Sequence, residues 1–285
     1  MTKTVLITGC KGFISYNVIK FLKEKFKVLC VGRSNKADIN FYDKEKIKKM
    51  IKNSDVIVHL AAITNPFDKN IEEINVNYTK FLVDESKKFN KRFIYLSSQN
   101  VLFGKDKYSL TKKRAEDLVK ELKNFVILRP TIIYGKKENK YIGKLIKTIK
   151  KYPVIPIIGN GKYKIQPIYI EDLTKIILHC VNKKITGVFL VAGSSRITYT
   201  ELVDLIINKF KLKRLKINIP IFLLKPLAYL FQNLLKNPPI TAIQLENIKI
   251  NQDYDINNIK KVFKINPLTI GKGLSIIIEN EKNKR

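Results

Sequence analysis

Tyr108 and Lys112 are the residues of this chain whose types and spacing best suit proton chemistry. Residues four apart lie on one face of a helix, so a phenol and an ammonium would be neighbours there. A nearby positive charge stabilises the phenolate and lowers a tyrosine pKa that starts at about 10. Lowering this pKa to about 7 requires ~4 kcal/mol of differential stabilisation. The pair is therefore a candidate for moving a proton near neutral pH.

The spacing alone does not single out this pair, because a lysine-rich chain produces it by chance, here also in Tyr16 with Lys20 and Tyr42 with Lys46. The context favours Tyr108. A predicted strand over residues 92–98 (RFIYLSS) ends in two hydroxyl residues, Ser97 and Ser98, shortly before Tyr108. An amphipathic helical pattern then runs from Tyr108 to about residue 123.

A glycine turn near the N-terminus provides a second candidate site. Residues 5–7 form a short apolar run, typical of a strand buried on both faces, and a helical pattern follows from residue 13. Between them, Gly9 permits a tight turn and Gly12 lets backbone approach a pyrophosphate at the helix N-terminus. Ser15 stands at the third glycine position of this pattern. The alternative is a strand-to-helix turn without a ligand.

The next segments bear on cofactor choice. A predicted strand over residues 27–31 (KVLCV) ends at Arg33, and an arginine there can pair with the 2′-phosphate of NADP, whereas an acidic residue would favour NAD. From sequence alone, an arginine that is merely exposed at the surface cannot be distinguished from one that binds this phosphate. The strand predicted over residues 55–62 ends in small residues that would let backbone pass close to a flat cofactor. His59 within that strand is either catalytic or, as we expect, a hydrogen-bonded core residue. A predicted helix over residues 71–89 carries Asn75.

Together these motifs resemble an extended short-chain dehydrogenase/reductase of the nucleotide-sugar epimerase/dehydratase kind. The resemblance covers almost the whole chain, and ordered motifs are more specific than any one of them. The matching motifs are Thr8-Gly9-Cys10-Lys11-Gly12, His59-Leu60-Ala61-Ala62, Asn75, Ser97-Ser98, Tyr108-xxx-Lys112, Arg129-Pro130-Thr131-Ile132-Ile133-Tyr134-Gly135, Gly159-Asn160-Gly161, Gln166-Pro167-Ile168-Tyr169-Ile170-Glu171-Asp172-Leu173 and Gly187-Val188-Phe189-Leu190-Val191-Ala192-Gly193.

The resemblance implies a role for each matching position. Tyr108 resembles the catalytic acid/base, Lys112 its pKa partner and a ligand of the nicotinamide ribose, and Ser98 the hydroxyl that bonds the reacting sugar oxygen. The substrate-binding positions are Ser98, Gln99 and Lys164, and no metal is implied. The cofactor, NAD or NADP, is expected at Gly9, Lys11, Gly12, Phe13, Ile14, Arg33, Asp38, Ile39, Leu60, Ala61, Ala62, Asn75, Tyr108 and Lys112.

The chain departs from the family pattern at several points. An ungapped alignment from Gly104 places Gln99 at the catalytic hydroxyl position, and one extra residue restores Ser98, which we prefer. The loop before Tyr108 is short, and the arginine expected just before Gln166 is absent, with only Lys164 nearby to contact a pyrophosphate.

Relatives that dehydrate sugars have an Asp-Glu pair where this chain has Gln99 and Asn100, so dehydration is disfavoured. Epimerisation at C3 and C5 is disfavoured too, because the two histidines are poorly placed.

We therefore predict an α/β fold, a doubly wound parallel Rossmann sheet with a smaller C-terminal substrate-binding lobe. The NAD(P)-binding domain covers residues 1–155, with a return near 165–192, and residues 156–285 form mainly the substrate lobe. The predicted function is hydride transfer, as an epimerase or a 4-keto reductase, at a sugar carbon, C4, of a nucleotide-activated sugar for surface polysaccharide synthesis. The alternative is a non-catalytic NAD(P)-binding scaffold or accessory subunit. We also expect a homodimer.

Composition limits the other partners. The net charge is +31, but lysine far outnumbers arginine and is spread along the chain, so we expect attraction to anions without specific nucleic-acid binding. Three cysteines, odd in number and far apart, suggest buried thiols in a reducing cytoplasm.

Residues 219–235 are apolar but contain Pro220, Lys225 and Pro226, which exclude a membrane span. We expect a helix packing its apolar side inward. The alternative is weak peripheral membrane contact.

Overall fold

The computed structural model describes residues 2–32, 39–138, 140–235, 241–248 and 250–282. They divide into two compact units, the first formed by Met1–Pro130 and Leu173–Val191, the second by Thr131–Asp172 and Ala192–Arg285. The boundary predicted at residue 155 lies inside the second unit, because the strands just after residue 130 do not join the main sheet. The return predicted near residues 165–192 corresponds to Leu173–Val191.

Thirteen strands are present in the described residues. In chain order they are β1 Thr4–Thr8, β2 Lys27–Gly32, β3 Ile39–Asn40, β4 Val56–His59, β5 Arg92–Leu96, β6 Phe125–Pro130, β7 Ile133–Tyr134, β8 Val154–Ile158, β9 Lys164–Ile165, β10 Ile168–Tyr169, β11 Gly187–Val191, β12 Ile197–Thr198 and β13 Leu215–Ile219.

Eleven α-helices connect these strands in the described residues. They are α1 Phe13–Leu22, α2 Lys44–Lys52, α3 Tyr78–Lys88, α4 Lys107–Val119, α5 Ile142–Lys151, α6 Ile170–Asn182, α7 Tyr199–Lys209, α8 Ile221–Leu234, α9 Ala242–Asn247, α10 Asn257–Phe263 and α11 Ile270–Lys282. A π-helical turn, Glu73–Asn77, precedes α3, and a short 3-10 helix, Gln99–Leu102, follows β5.

The first unit is built on a seven-stranded parallel sheet in the order β11-β6-β5-β4-β1-β2-β3. β1 lies inside the sheet, paired with β2 on one side and β4 on the other, and residues 5–7 are fully buried, as in a strand covered on both faces. The strand order reverses beside β1, and ligands of such sheets bind outside the carboxyl ends of the strands at this point. The predicted doubly wound Rossmann sheet is confirmed.

The second unit contains three two-stranded sheets among its described residues: β7 with β10, β8 with β13, and β9 with β12. Helix α7 begins at a capping box between Thr198 and Glu201. The prediction for residues 219–235 is only half right. They form α8, but large apolar side chains on this helix are exposed instead of packed inward. Within the described ranges, no helix is long and apolar enough to cross a membrane.

The prediction of three buried thiols is wrong for two of the cysteines. Cys10 and Cys30 form a disulfide with their Cα atoms 6.0 Å apart. They are distant in sequence, but the parallel pairing of β1 with β2 places Ile7 opposite Cys30, and the turn after β1 brings Cys10 close. Cys180 is the buried free thiol that was expected, and burial raises its pKa to about 12.

Candidate active site

The glycine turn after β1 cannot accept a side chain at its first position. Gly9 has a φ of +79°, and a Cβ added there would lie 2.7 Å from the Cα atom of Ala61. Because the obstacle is backbone, it cannot swing aside as a side chain would. Gly9 therefore lets the turn and the chain after β4 pass against each other, as a close-fitting dinucleotide site requires.

The start of α1 offers backbone donors to an anion. Gly12 is its N-cap residue, and no side chain in the described part of the chain caps the helix. The Ser15 hydroxyl donates a 2.7 Å hydrogen bond to the Gly9 carbonyl and so closes the turn from behind. The first-turn N–H groups, including those of Phe13 and Ile14, have no acceptor within the helix and suit a pyrophosphate. These residues fit a dinucleotide cofactor.

The other predicted cofactor residues are placed unevenly. Lys11 and Ala62 are exposed, and Leu60 and Ala61 are half-buried after β4. Ile39 is the first residue of β3. Arg33 and Asp38 lie outside the described residues, so the structure does not bear on the expected NADP preference.

His59 is a core residue, as expected. It is fully buried, and its ring nitrogens are hydrogen bonded to Thr8 Oγ1 at 2.6 Å and Thr79 Oγ1 at 2.9 Å. Since the Thr79 hydroxyl already donates to the carbonyl of Asn75, the network assigns the ring proton to Nε2. Burial, together with the charge of Lys112, lowers the pKa of His59 to about 3, so the ring stays neutral.

Asn75 holds the loop that follows β4. Its side chain accepts a hydrogen bond from the N–H of Ile63 at 2.8 Å and donates to the Ile63 carbonyl at 2.9 Å. The second amide hydrogen goes to Thr111 Oγ1 in α4. Asn75 is buried and both its amide hydrogens are used within the protein, so it acts by positioning the backbone of residues 60–62 and α4.

Lys112 is buried beneath the end of β5. Its ammonium donates a 2.6 Å hydrogen bond to the carbonyl of Leu96 and lies 4.0 Å from the centre of the Tyr95 ring. Burial lowers the pKa of Lys112 to about 7, against the opposing effect of the nearby Glu116 carboxylate. A lysine with this pKa can gain or lose a proton near neutrality.

Tyr108 lies one helical turn before Lys112, half-buried and packed against the core. Asp106 caps the helix by accepting from the N–H of Ser109 at 2.7 Å, which fixes where α4 begins. Further along α4, the fully buried Glu116 accepts three hydrogen bonds from Nε and Nη2 of Arg129 of β6. Sequence analysis does not identify Glu116 as a site residue and places Arg129 only within a family motif.

Ser98 and Gln99 differ in exposure. Ser98 is half-buried and caps the 3-10 helix, its Oγ accepting from the N–H of Asn100 at 3.2 Å. Its own hydroxyl hydrogen donates no hydrogen bond in the described residues and is left for a ligand. Gln99 is buried, and its Oε1 has no hydrogen-bond partner in the described part of the chain. Of the two, Ser98 is better placed to meet a substrate.

Lys164 belongs to the second unit, in β9. It is exposed, and its ammonium lies 3.7 Å from a carboxylate oxygen of Asp253, which also pairs with Arg196 at 2.8 Å. Arg196 and Lys164 are far apart in sequence and are brought together by β9 pairing with β12, so sequence alone does not predict that they are neighbours. The described residues contain no group of three or more His, Cys, Asp or Glu that would hold a metal.

A parallel Rossmann sheet with a glycine turn, and a Tyr and Lys one helical turn apart beside a strand that is followed by two serines, define a nicotinamide-dependent short-chain dehydrogenase/reductase. Comparison of the chain with known proteins identifies its family within this class. The chain belongs to the RmlD substrate binding domain family, whose model matches residues 2–249. The resemblance to an extended short-chain dehydrogenase/reductase of the nucleotide-sugar epimerase/dehydratase kind is confirmed.

Individual relatives support this placement. The chain is 30% identical to a UDP-glucose 4-epimerase of Vibrio cholerae over 71% of this chain and 74% of that protein. It is 26% identical to a dTDP-D-glucose 4,6-dehydratase of Dictyostelium discoideum, of which it spans 61%. A UDP-glucuronic acid 4-epimerase of Bacillus cereus, solved with UDP-glucuronic acid and NAD, has the same fold, with a TM-score of 0.76, 18% identity and coverage of 99% and 100% of the two chains.

Proposed function

We propose that this protein catalyses hydride transfer at C4 of a nucleotide-activated sugar, either as a 4-epimerase or as a 4-keto reductase. The observation that carries the proposal is the position of the buried Lys112 side chain, one helical turn after Tyr108. Its ammonium donates a hydrogen bond to the carbonyl of Leu96, which lies two residues before Ser98. We further propose that the product supplies surface polysaccharide synthesis in the cytoplasm, as the resemblance implies.

In the proposed reaction Tyr108 exchanges the proton and Lys112 sets its acidity. When a C4 alcohol is oxidised, the Tyr108 phenolate accepts the hydroxyl proton, and in the reverse direction it returns the proton to the new alkoxide. Hydride acceptance and donation at C4 are the chemistry that a bound nicotinamide supplies. Ser98 donates its free hydroxyl hydrogen to the same sugar oxygen, which fixes the orientation of the sugar.

Dehydration is excluded from the proposal by the residues after Ser98. Gln99 and Asn100 cannot exchange protons near neutral pH, and Gln99 is also buried. Two reactions then remain that need only Ser98, Tyr108, Lys112 and a nicotinamide. The 30% identity to an epimerase favours the first, and Arg33 favours NADPH and therefore the second. Similar folds have been solved with NAD in a 4-epimerase and with NADP in a dTDP-4-dehydrorhamnose reductase of Bacillus anthracis.

We also propose that Lys164 and Arg196 bind the substrate diphosphate. The family arginine before Gln166 is absent, and the structure places two exposed cations on one carboxylate, Asp253. Both side chains are exposed and cationic, and arginine can bind phosphate through two parallel hydrogen bonds. The variants Lys164→Ala and Arg196→Ala should raise KM for the nucleotide sugar and leave cofactor content unchanged.

The test begins with the nucleotide that purified protein retains. We would denature the protein, identify the released nucleotide, and then supply a UDP-hexose or a UDP-4-keto-sugar. Bound NAD without net consumption, together with a C4 epimer, indicates an epimerase, whereas NADPH oxidation that depends on keto-sugar indicates a reductase. A 4-keto-6-deoxy product from a plain UDP-sugar would contradict the interpretation of Gln99 and Asn100. A retained nucleotide with no turnover of any nucleotide sugar would favour the scaffold alternative.

A further inference from the structure

We propose that α8 and the adjoining sheet of β8 and β13 form a surface that docks on an anionic lipid bilayer. This inference concerns the second unit alone and does not depend on the proposed reaction. The surface, called the apolar face below, is made of five α8 side chains and four strand side chains: Phe222, Leu223, Leu227, Leu230 and Leu234 with Val154, Pro156, Leu215 and Ile217.

The α8 side chains form one continuous stripe. Successive residues of an α-helix are turned by about 100°, so the five α8 members of the apolar face lie within an arc of about 140°. Their exposed fractions run from 46% to 70%. Ala228, which is fully buried in this helix, lies opposite them. α8 therefore packs through a small side chain and turns its bulky apolar residues outward, the reverse of an ordinary surface helix.

The strand side chains extend the same face. β13 pairs with β8 in parallel, with Leu215 opposite Val154 and Ile217 opposite Pro156, so these four side chains lie on one side of the sheet. All four are exposed, whereas Ile155 and Ile157 on the other side are buried. Ile158, the next residue on the exposed side, lines a groove together with Phe222 of α8. The sheet and the helix are thus continuous.

The charge around the apolar face is mostly positive, although Lys216 pairs with Asp204 and Lys225 pairs with Glu246. Between Asp204 and Glu246 the sequence has seven basic residues and no carboxylate, and between Glu138 and Glu171 it has seven lysines and no carboxylate. The first stretch contains β13 and α8, and the second contains β8. Lys213 and Lys151 stand exposed just before the strands begin. Apolar side chains flanked by lysines match a bilayer surface that carries anionic headgroups.

The same charge argues against a second copy of this chain as the occupant. In a twofold contact the face would meet itself, and its lysines would be brought beside those of the other copy at a cost in like-charge repulsion. Nucleic acid would satisfy the lysines but leave the leucines and phenylalanine without apolar partners. An anionic bilayer satisfies both, since its headgroups attract the lysines and its acyl boundary takes the apolar side chains.

The experiment is sedimentation of the whole protein with vesicles of phosphatidylcholine alone or mixed with phosphatidylglycerol. We expect binding to the mixed vesicles to be at least about tenfold tighter and to weaken as salt is added. The variant Leu223→Ser/Leu227→Ser/Leu230→Ser should lose binding to both. Its matched control, Phe89→Ser/Val188→Ser, replaces exposed apolar side chains of the first unit and should bind as wild type does.

A second variant keeps the test decisive if the leucine variant unfolds, as circular dichroism would reveal. Lys151→Gln/Lys213→Gln changes only exposed charges and should weaken binding to mixed vesicles without changing binding to neutral ones. Equal sedimentation of wild type and a folded leucine variant would overturn the proposal. So would a dimer in solution that the leucine variant converts to monomer, because a second copy would then cover this face.

Discussion

The ammonium of Lys112 donates a 2.6 Å hydrogen bond to the carbonyl of Leu96, the last residue of β5. The bond joins α4 to the strand that ends beside Ser98, so one side chain sets both the helix position and the local charge. Burial lowers the pKa of Lys112 from 10.5 to about 7. Lys112 is therefore a group whose protonation we expect to couple folding to pH above about 7.

The first prediction is a slope of stability against pH. Between about pH 7 and about pH 10, the unfolded chain holds the Lys112 proton and the folded protein has released it. The free energy of unfolding should therefore rise with pH across that window, by at most about 1.4 kcal/mol per pH unit from this group. Below pH 7 both states carry the proton, and the contribution is constant. Denaturant unfolding at a series of pH values measures the slope.

The slope is attributed by comparing two variants. Lys112→Met removes the buried ammonium and should flatten the pH dependence relative to wild type, whatever its absolute stability. Lys113→Met removes an exposed lysine of the same helix and is the matched control. Equal slopes in the two variants would mean that Lys112 does not carry the effect.

A second prediction concerns the glycine turn. Gly9→Ala should cost about 1–2 kcal/mol for the left-handed backbone conformation alone. It also forces a methyl group against the Ala61 backbone, so the cofactor site should open and the protein should lose most of its retained nucleotide. Thermal unfolding and nucleotide analysis after denaturation measure the two effects.

The control for Gly9 is Gly271→Ala. Gly271 lies in α11, and a Cβ there would meet no described atom within 4 Å. Because alanine favours a helix, this change should leave stability equal or raise it by up to about 1 kcal/mol. If Gly9→Ala behaves like Gly271→Ala, the turn does not need glycine.

The sheet was predictable because its signal is local. Strands buried on both faces read as apolar runs, and residues 5–7 and 56–58 are such runs and are fully buried or nearly so. Helix α8 was mispredicted for the opposite reason. Apolar content indicates that a helix forms but does not determine which side of it meets a partner, and among the described side chains of α8 only Ala228 is fully buried.

Contacts that form only when separate strands and helices pack together could not be predicted from the sequence. The Cys10–Cys30 disulfide follows from the register of β1 with β2, and the Glu116–Arg129 pair from α4 lying against β6. In each of these two pairs, the partners are more than ten residues apart in the chain. The Tyr108 and Lys112 pair was found because one helical turn is a local spacing, although two chance pairs share it. Its assignment to catalysis stays a prediction.

That assignment gives the third prediction. Tyr108→Phe removes only the oxygen that exchanges the proton, so turnover of a nucleotide sugar should fall by about 10²–10⁴. The amount of nucleotide retained should stay near wild type. Tyr16→Phe and Tyr42→Phe have the same spacing to a lysine, but their side chains are 54% and 69% exposed, and they should remain active. An active Tyr108→Phe beside an inactive Tyr42→Phe would contradict the assignment.

The fourth prediction concerns the disulfide, which ties the cofactor turn to β2. Protein denatured without reductant should show one free thiol, that of Cys180, and three after reduction. Reduction should lower the free energy of unfolding by about 3 kcal/mol, the expected effect for a loop of this size. It should also weaken nucleotide retention, because Cys10 adjoins Gly9. Cys10→Ser/Cys30→Ser should respond to reductant in neither assay. Three thiols before reduction would mean that the bond is absent, as a reducing compartment would require.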